Sequence, residues 1–180
     1  MSNTSWIIIA LILGFGSIGV AVFKYIWVKK QDPGSESAQE VAGFIRSSAQ
    51  KFLRYLYLSL TGVALAMGII LAVVLGIDIP RLIEGGSFRY DVTAGIGTAV
   101  TFVIGAFFAA VAGYMGMSIA VHANVRAAAA AQKGLTPSFK VAFNGGSVMG
   151  LGMIGIAIVG ISAIYLITRN VGLVLGFSFG

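Results

Sequence analysis

Four long stretches without a single charged residue dominate this chain, and they leave it few ways to fold. They cover residues 1–23, 55–77, 92–121 and 141–168, with every Lys, Arg, Asp and Glu confined to the segments between and after them. A helix satisfies its own backbone N–H and C=O groups and crosses the roughly 30 Å hydrocarbon core with about 20 apolar residues. Each stretch reaches that length, and the third exceeds it, so it should tilt or project beyond the lipid. The reading is all-α: a multi-pass membrane helical bundle with four transmembrane helices, over about residues 5–27, 53–77, 92–121 and 141–168, plus one cytoplasmic interfacial helix over about 36–52, in a single membrane domain 1–180. The eleven residues 170–180 are apolar but too short to cross.

Composition agrees. Only 10% of residues are charged and 58% are hydrophobic, where a soluble domain carries about a quarter charged residues. The net charge of +6 raises the question of nucleic acid, but the basic residues alternate with apolar runs and form no patch, so no nucleic-acid partner is expected. Charge placed this way sets orientation in a bilayer. There is no cysteine, which excludes disulfides and thiolate metal sites.

The first run is not a secretory signal, because nothing basic precedes Trp6 while Lys24, Lys29 and Lys30 follow it. Six basic residues lie between the first and second runs, Lys24, Lys29, Lys30, Arg46, Lys51 and Arg54, and three between the third and fourth, Arg126, Lys133 and Lys140. Arg81, Arg89 and Arg169 fall on the other side, so nine of the twelve basic residues belong to the cytoplasm. The expected location is the cell (cytoplasmic) membrane, with both termini on the non-cytoplasmic side.

The segment after the first span opens with Asp32-Pro33-Gly34-Ser35, which is turn chemistry. Ser37 and Glu40 have the spacing of a capping box, and Ala38, Val41, Ala42, Ile45, Ala49 and Phe52 form one apolar stripe. An interfacial helix that runs on into the second span follows, with Arg46, Lys51 and Arg54 placed to meet anionic headgroups or simply solvent. In the third and fourth spans, Gly105/Ala109/Gly113, Ala112/Gly116/Ala120 and Gly146/Gly150 repeat at four-residue spacing. Small residues let helices approach closely in lipid, so these faces should meet other helices, in this chain or another.

Chemistry is sparse. The acidic residues Asp32, Glu36, Glu40, Asp78, Glu84 and Asp91 all fall in loops or at interfaces, none at mid-membrane depth, where an ionisable group would be functional by default. No converging oxygen set suits Mg²⁺. His122, the single histidine, could ligate a haem or chlorophyll-type metal or hydrogen-bond locally at the interface, and without a partner motif the second reading is taken. Arg126 lies one turn on, where an anion, a headgroup or a helix C-terminus would suit it. The Met and aromatic residues read as packing and interface anchors. No catalytic, cofactor-binding or metal-binding residue is assigned.

One resemblance goes further. Gly113-Tyr114-Met115-Gly116-Met117, Ala123-Asn124-Val125-Arg126, Ala142-Phe143 and Val148-Met149-Gly150, preceded by Ala38-Gln39-Glu40-Val41-Ala42, Ile45-Arg46 and Phe52-Leu53-Arg54, resemble the N-terminal four-helix part of membrane-embedded, proton-translocating inorganic pyrophosphatases. The resemblance covers most of residues 29–170. It implies an outer ring of supporting helices, with pyrophosphate and Mg²⁺ held by an inner ring whose motifs, similar to DVGADLVGKVE, come after the fourth helix. Asn144-Gly145-Gly146 stands where many members have a more basic or serine-containing stretch. The apolar ending at Phe179-Gly180 leads to the expectation of a chain shorter than the whole pump and inactive by itself, with no cofactor of its own. Its partners would be the lipid bilayer and other transmembrane helices: the remainder of the pump, a homodimer mate or a larger membrane complex. The alternative is a non-catalytic accessory or scaffold subunit of a larger energy-transducing complex, and a channel in its own right is a third, weaker reading.

Overall fold

A computed structural model describes residues 3–77 and 90–180 of the chain. Four helices in it are long and apolar enough to cross a membrane. Helix α1 is Asn3–Lys29, α2 is Glu36–Gly76, α3 is Thr98–Ala131 and α4 is Leu135–Thr168; a short fifth helix, α5, is Val171–Phe179. The all-helical membrane bundle expected from the apolar runs is what forms. The interfacial helix and the second span are one unbroken rod of 41 residues, about 60 Å long at 1.5 Å per residue. Helices α3 and α4 both continue past their apolar runs into the basic segment between them, leaving a connection of only Gln132–Gly134.

Local chemistry explains the boundaries. Asp32 Oδ1 accepts from the Gly34 N–H at 2.9 Å, and Gly34 adopts φ 85°, a left-handed geometry that costs other residues a Cβ clash. The turn sets Ser35 as the N-cap of α2, its hydroxyl accepting from Ala38 N–H at 3.3 Å. The Ser37–Glu40 capping box therefore does not form; Ser37 lies inside the first turn, and the Gln39 side chain donates to Gly34 O at 2.9 Å instead. Asp91 Oδ1 accepts from Thr93 and Ala94 N–H at 2.9 and 3.1 Å, starting a π-helical turn, Thr93–Gly97, that feeds α3. Arg169 ends α4 in the left-handed region at φ 53°, and Asn170 caps α5 by accepting from Gly172 N–H at 2.8 Å.

Helix α2 packs on α3, α3 on α4 and α4 on α1; α1 also meets α3 at the Lys29 end, while α1 and α2 do not touch. Helix α5 turns back against α3 and α4: Phe177 lies against Gly105 and Gly160, and Gly176 against Thr98 and Thr101. The apolar ending is thus too short to cross yet still a packed element. Glycines set the closest approaches. Gly14 and Gly155 bring α1 and α4 together, and Gly145 admits the Ala123 methyl of α3. Gly146 and Gly150, by contrast, have nothing within 4 Å of an added Cβ; that pair of small residues has no partner among the described residues. Val28, Ile119, Ala123 and Val148 form the buried cluster, with Tyr25 and Trp27 packed on it. Outside it, large apolar residues line every span; Ile12, Phe23 and Leu58 are 65%, 70% and 73% exposed. An apolar surface that continuous calls for lipid or protein cover.

Candidate functional site

The ionisable side chains that the fold gathers lie at one end of the bundle, around the C-terminal turns of α1 and α3, the first turns of α4 and the early part of α2. Arg126 ties two helices there. Its guanidinium donates to His122 O at 3.1 Å on its own helix and to Lys29 O at 3.2 Å on α1. Lys29 O is one of the last carbonyls of α1, which no helical N–H can reach, so the arginine supplies the missing donor. Arg126 Nε is buried with no hydrogen-bond partner.

His122 sits one turn before Arg126. Its Nδ1 is 2.7 Å from Ser118 O and its ring meets Tyr25 edge-on at 6.5 Å. That is the local hydrogen bonding of the interfacial reading. Among the described residues no three His, Asp or Glu side chains come together as a metal ligand set. Arg46 of α2 joins His122 and Arg126 in lining a cleft of about 230 Å³ between α2 and α3.

The other basic residues find separate partners. Lys24 Nζ donates to Asn144 Oδ1 at 2.6 Å and lies 5.9 Å from the centre of the Phe143 ring. Lys29 lies 5.6 Å over Tyr25 and Lys140 5.6 Å over Trp27. Lys133 pairs with Asp32 at 3.2 Å, both side chains exposed. The Gly34 N–H, and after it Lys133, hold the Asp32 carboxyl below the usual carboxylate range. Glu36 occupies the first turn of α2, favourable against the helix dipole. Asp78, Glu84, Arg81 and Arg89 lie outside the described residues.

Sequence reasoning placed Arg126 and His122 on one face correctly but missed the Lys24–Asn144 bond. An amide in an otherwise apolar span is the signal that could have found it, because a polar group at that depth needs a partner. The α2–α3 hydrogen bond from Tyr57 Oη to Ala110 O, 2.8 Å, was also invisible, since nothing in a helical period names a partner on another helix.

Residues 15–180 match the family model described as inorganic H⁺ pyrophosphatase. A K⁺-insensitive pyrophosphate-energized proton pump of Methanosarcina mazei is 33% identical over 171 residues, 95% of this chain and 23% of that protein. One of Chloroflexus aurantiacus is 33% identical over 177 residues, covering 94% and 23%. A K⁺-stimulated pyrophosphate-energized sodium pump of Thermotoga maritima is 34% identical over 153 residues, covering 84% and 18%. The chain thus spans under a quarter of the length of these relatives, in their N-terminal part.

Proposed function

The chain belongs to the inorganic H⁺ pyrophosphatase family, and on that premise we propose that it serves as the outer, supporting helices of a pyrophosphate-energised proton pump. The observation that carries this is the match over residues 15–180 to the N-terminal part of much longer pumps. Three features support a scaffolding role. The close approaches between spans are made by glycine and alanine. Side-chain hydrogen bonds tie each span to a neighbour: Ser17 to Leu151 O at 2.8 Å and Lys24 to Asn144 join α1 to α4, Tyr57 to Ala110 O joins α2 to α3, and Arg126 to Lys29 O joins α3 to α1. The carboxylates among the described residues are either dispersed or already engaged.

Mg²⁺, which the family resemblance implies for hydrolysis, does not fit these carboxylates: Asp32 is paired with Lys133, Asp91 caps a helix, and no three acidic or histidine side chains gather among the described residues. In this reading the metal and pyrophosphate are held by other helices of the pump. The basic end faces the cytoplasm, and the start of α1 and the turn between α4 and α5 face the other side, following the lysine and arginine distribution.

The test is complementation. The purified chain in liposomes, given Mg²⁺ and pyrophosphate, should release no phosphate. Co-expressed with the part of the Methanosarcina mazei pump beyond the matched segment, it should restore hydrolysis and acidification of inverted vesicles. Hydrolysis by the chain alone would overturn the scaffold reading, as would full activity of the remainder without it.

A further inference from the structure

The contact between α2 and α3 leaves a groove with two chemically different parts. Near the basic end, the 230 Å³ cleft is lined by Arg46 and Gln39 of α2 and by His122 and Arg126 of α3, with no carboxylate among its lining residues. A narrow waist of about 30 Å³ follows, sharing Arg46 and His122 with the cleft and adding Gln50, Leu53 and Ser118. Beyond it lies an apolar trough of about 590 Å³, sharing Leu53 with the waist and walled by Leu60, Ala64, Phe107 and Ala109, among others. Cleft, waist and trough follow one another along the α2–α3 seam, with Arg46 and His122 at the first boundary and the buried Leu53 at the second.

The dimensions fit one kind of occupant. The α2 wall of the trough runs from Leu53 to Leu65, twelve residues or about 18 Å of helix. That is close to half of the roughly 30 Å hydrocarbon core, the depth of a single leaflet. A basic, carboxylate-free mouth above a leaflet-deep apolar trough is complementary to a molecule with an anionic head and a long hydrocarbon tail. Basic pockets between transmembrane helices take anionic headgroups, and each buried methylene of a tail adds about 0.8 kcal/mol. Arg126 contributes a guanidinium already pinned by His122 O and Lys29 O, with Nε still unpartnered. Arg46 is exposed and unencumbered by any acidic neighbour in the cleft.

The geometry points to a binding site for an anionic phospholipid in this seam, its phosphate between Arg46 and Arg126 and an acyl chain in the trough below. The site does not depend on pyrophosphate hydrolysis, but it rests on the trough, which Gly180 also lines, staying open to lipid when the other helices of the pump are in place.

Native mass spectrometry of the detergent-purified full chain, titrated with phosphatidylglycerol or phosphatidylcholine of the same chain length, tests it. Phosphatidylglycerol should bind at one saturable site, preferred over phosphatidylcholine. Arg46→Gln should weaken it about fivefold, the factor expected for one basic residue at an anionic headgroup. Lys51→Gln and Arg54→Gln remove the same charge from α2 outside the groove and should change it less than twofold. Ala64→Trp, which fills the trough without touching charge, should weaken it as much as Arg46→Gln; Ala109→Leu from the opposite wall replaces it if the tryptophan variant does not fold. Equal losses from Arg46→Gln and Arg54→Gln would mean general charge attraction and overturn the site. Retention by a folded trough variant, or displacement by inorganic phosphate at millimolar concentration, would overturn the two-part occupant.

Discussion

Replacing Gly155 by alanine should damage this bundle, while the same change at Gly150, on the same helix, should not. A Cβ at Gly155 would lie 2.9 Å from Gly14 O, 3.1 Å from Ile18 N and 2.7 Å from Ile18 Cγ1. The isoleucine side chain can turn aside, but the two backbone atoms cannot. Restoring ordinary contact of about 3.5 Å requires α1 to back away from α4 by roughly 0.5 Å, and gaps of that size forfeit about a quarter of each dispersion well they open. Overpacking of this kind costs about 1–3 kcal/mol, and in lipid packing is the main force between helices. Against it stands the better helix propensity of alanine, about 0.5–1 kcal/mol, so the net loss should be about 1–2 kcal/mol. At Gly150 an added methyl meets nothing within 4 Å, and only the propensity gain of about 0.5–1 kcal/mol remains. The two variants should differ by about 2 kcal/mol, a factor near 30 in the folded ratio. Titration of each variant from mild detergent into sodium dodecyl sulfate, followed by far-UV circular dichroism and by tryptophan fluorescence, measures the difference. Equal stability of the two variants, or a Gly150→Ala loss as large as that of Gly155→Ala, would refute the reasoning.

Other expectations can be checked alongside. Asn144→Leu strands the Lys24 ammonium and should cost about 1 kcal/mol, whereas Lys24→Met with Asn144→Leu should recover most of it; a double-mutant cycle in the same titration reads a coupling of about 0.6–1.7 kcal/mol. The Asp32 carboxyl titrates below its ordinary value through the Gly34 N–H and through the hydrogen bond and charge of Lys133. Its contribution to the turn is therefore complete above the ordinary value and lost as pH falls through the lowered one. Carbon-13 NMR of Asp32 in Lys133→Gln should recover part of the shift and leave the part held by the Gly34 N–H, and full recovery would remove Gly34 as a cause. Because the chain has no cysteine, Ser37→Cys and Val171→Cys report sidedness directly. An impermeant maleimide should reach the first only from the cytoplasm and the second only from the opposite side.

The spans were legible because bilayer thickness imposes a length that twenty-odd apolar residues either meet or miss, and charge marks where each run must stop. The turn at Asp32–Gly34 was legible for a similar reason: a proline followed by a glycine at positive φ allows few conformations. The cap was misplaced by two residues because Ser35 and Ser37 offer the same hydroxyl, and only the Asp32–Gly34 hydrogen bond decides between them. The glycine pattern identified close packing but not its partner. Gly105 and Gly116 do meet neighbours, Phe177 and Met149, while Gly146 and Gly150 carry the same spacing and face nothing described. At the basic end, Arg126 and His122 were predictable neighbours at four-residue spacing. Lys29 and Asn144, which complete the hydrogen bonding there, come from other helices, and no local period encodes them.

Helix α2 has no proline between Glu36 and Gly76 and no break in its hydrogen-bonded ladder, so it lacks the usual causes of a kink. A rod about 60 Å long is twice the roughly 30 Å depth of the hydrocarbon core, so the part of α2 that carries Arg46, Lys51 and Arg54 stands clear of the lipid while its far end is held by Tyr90 and Asp91.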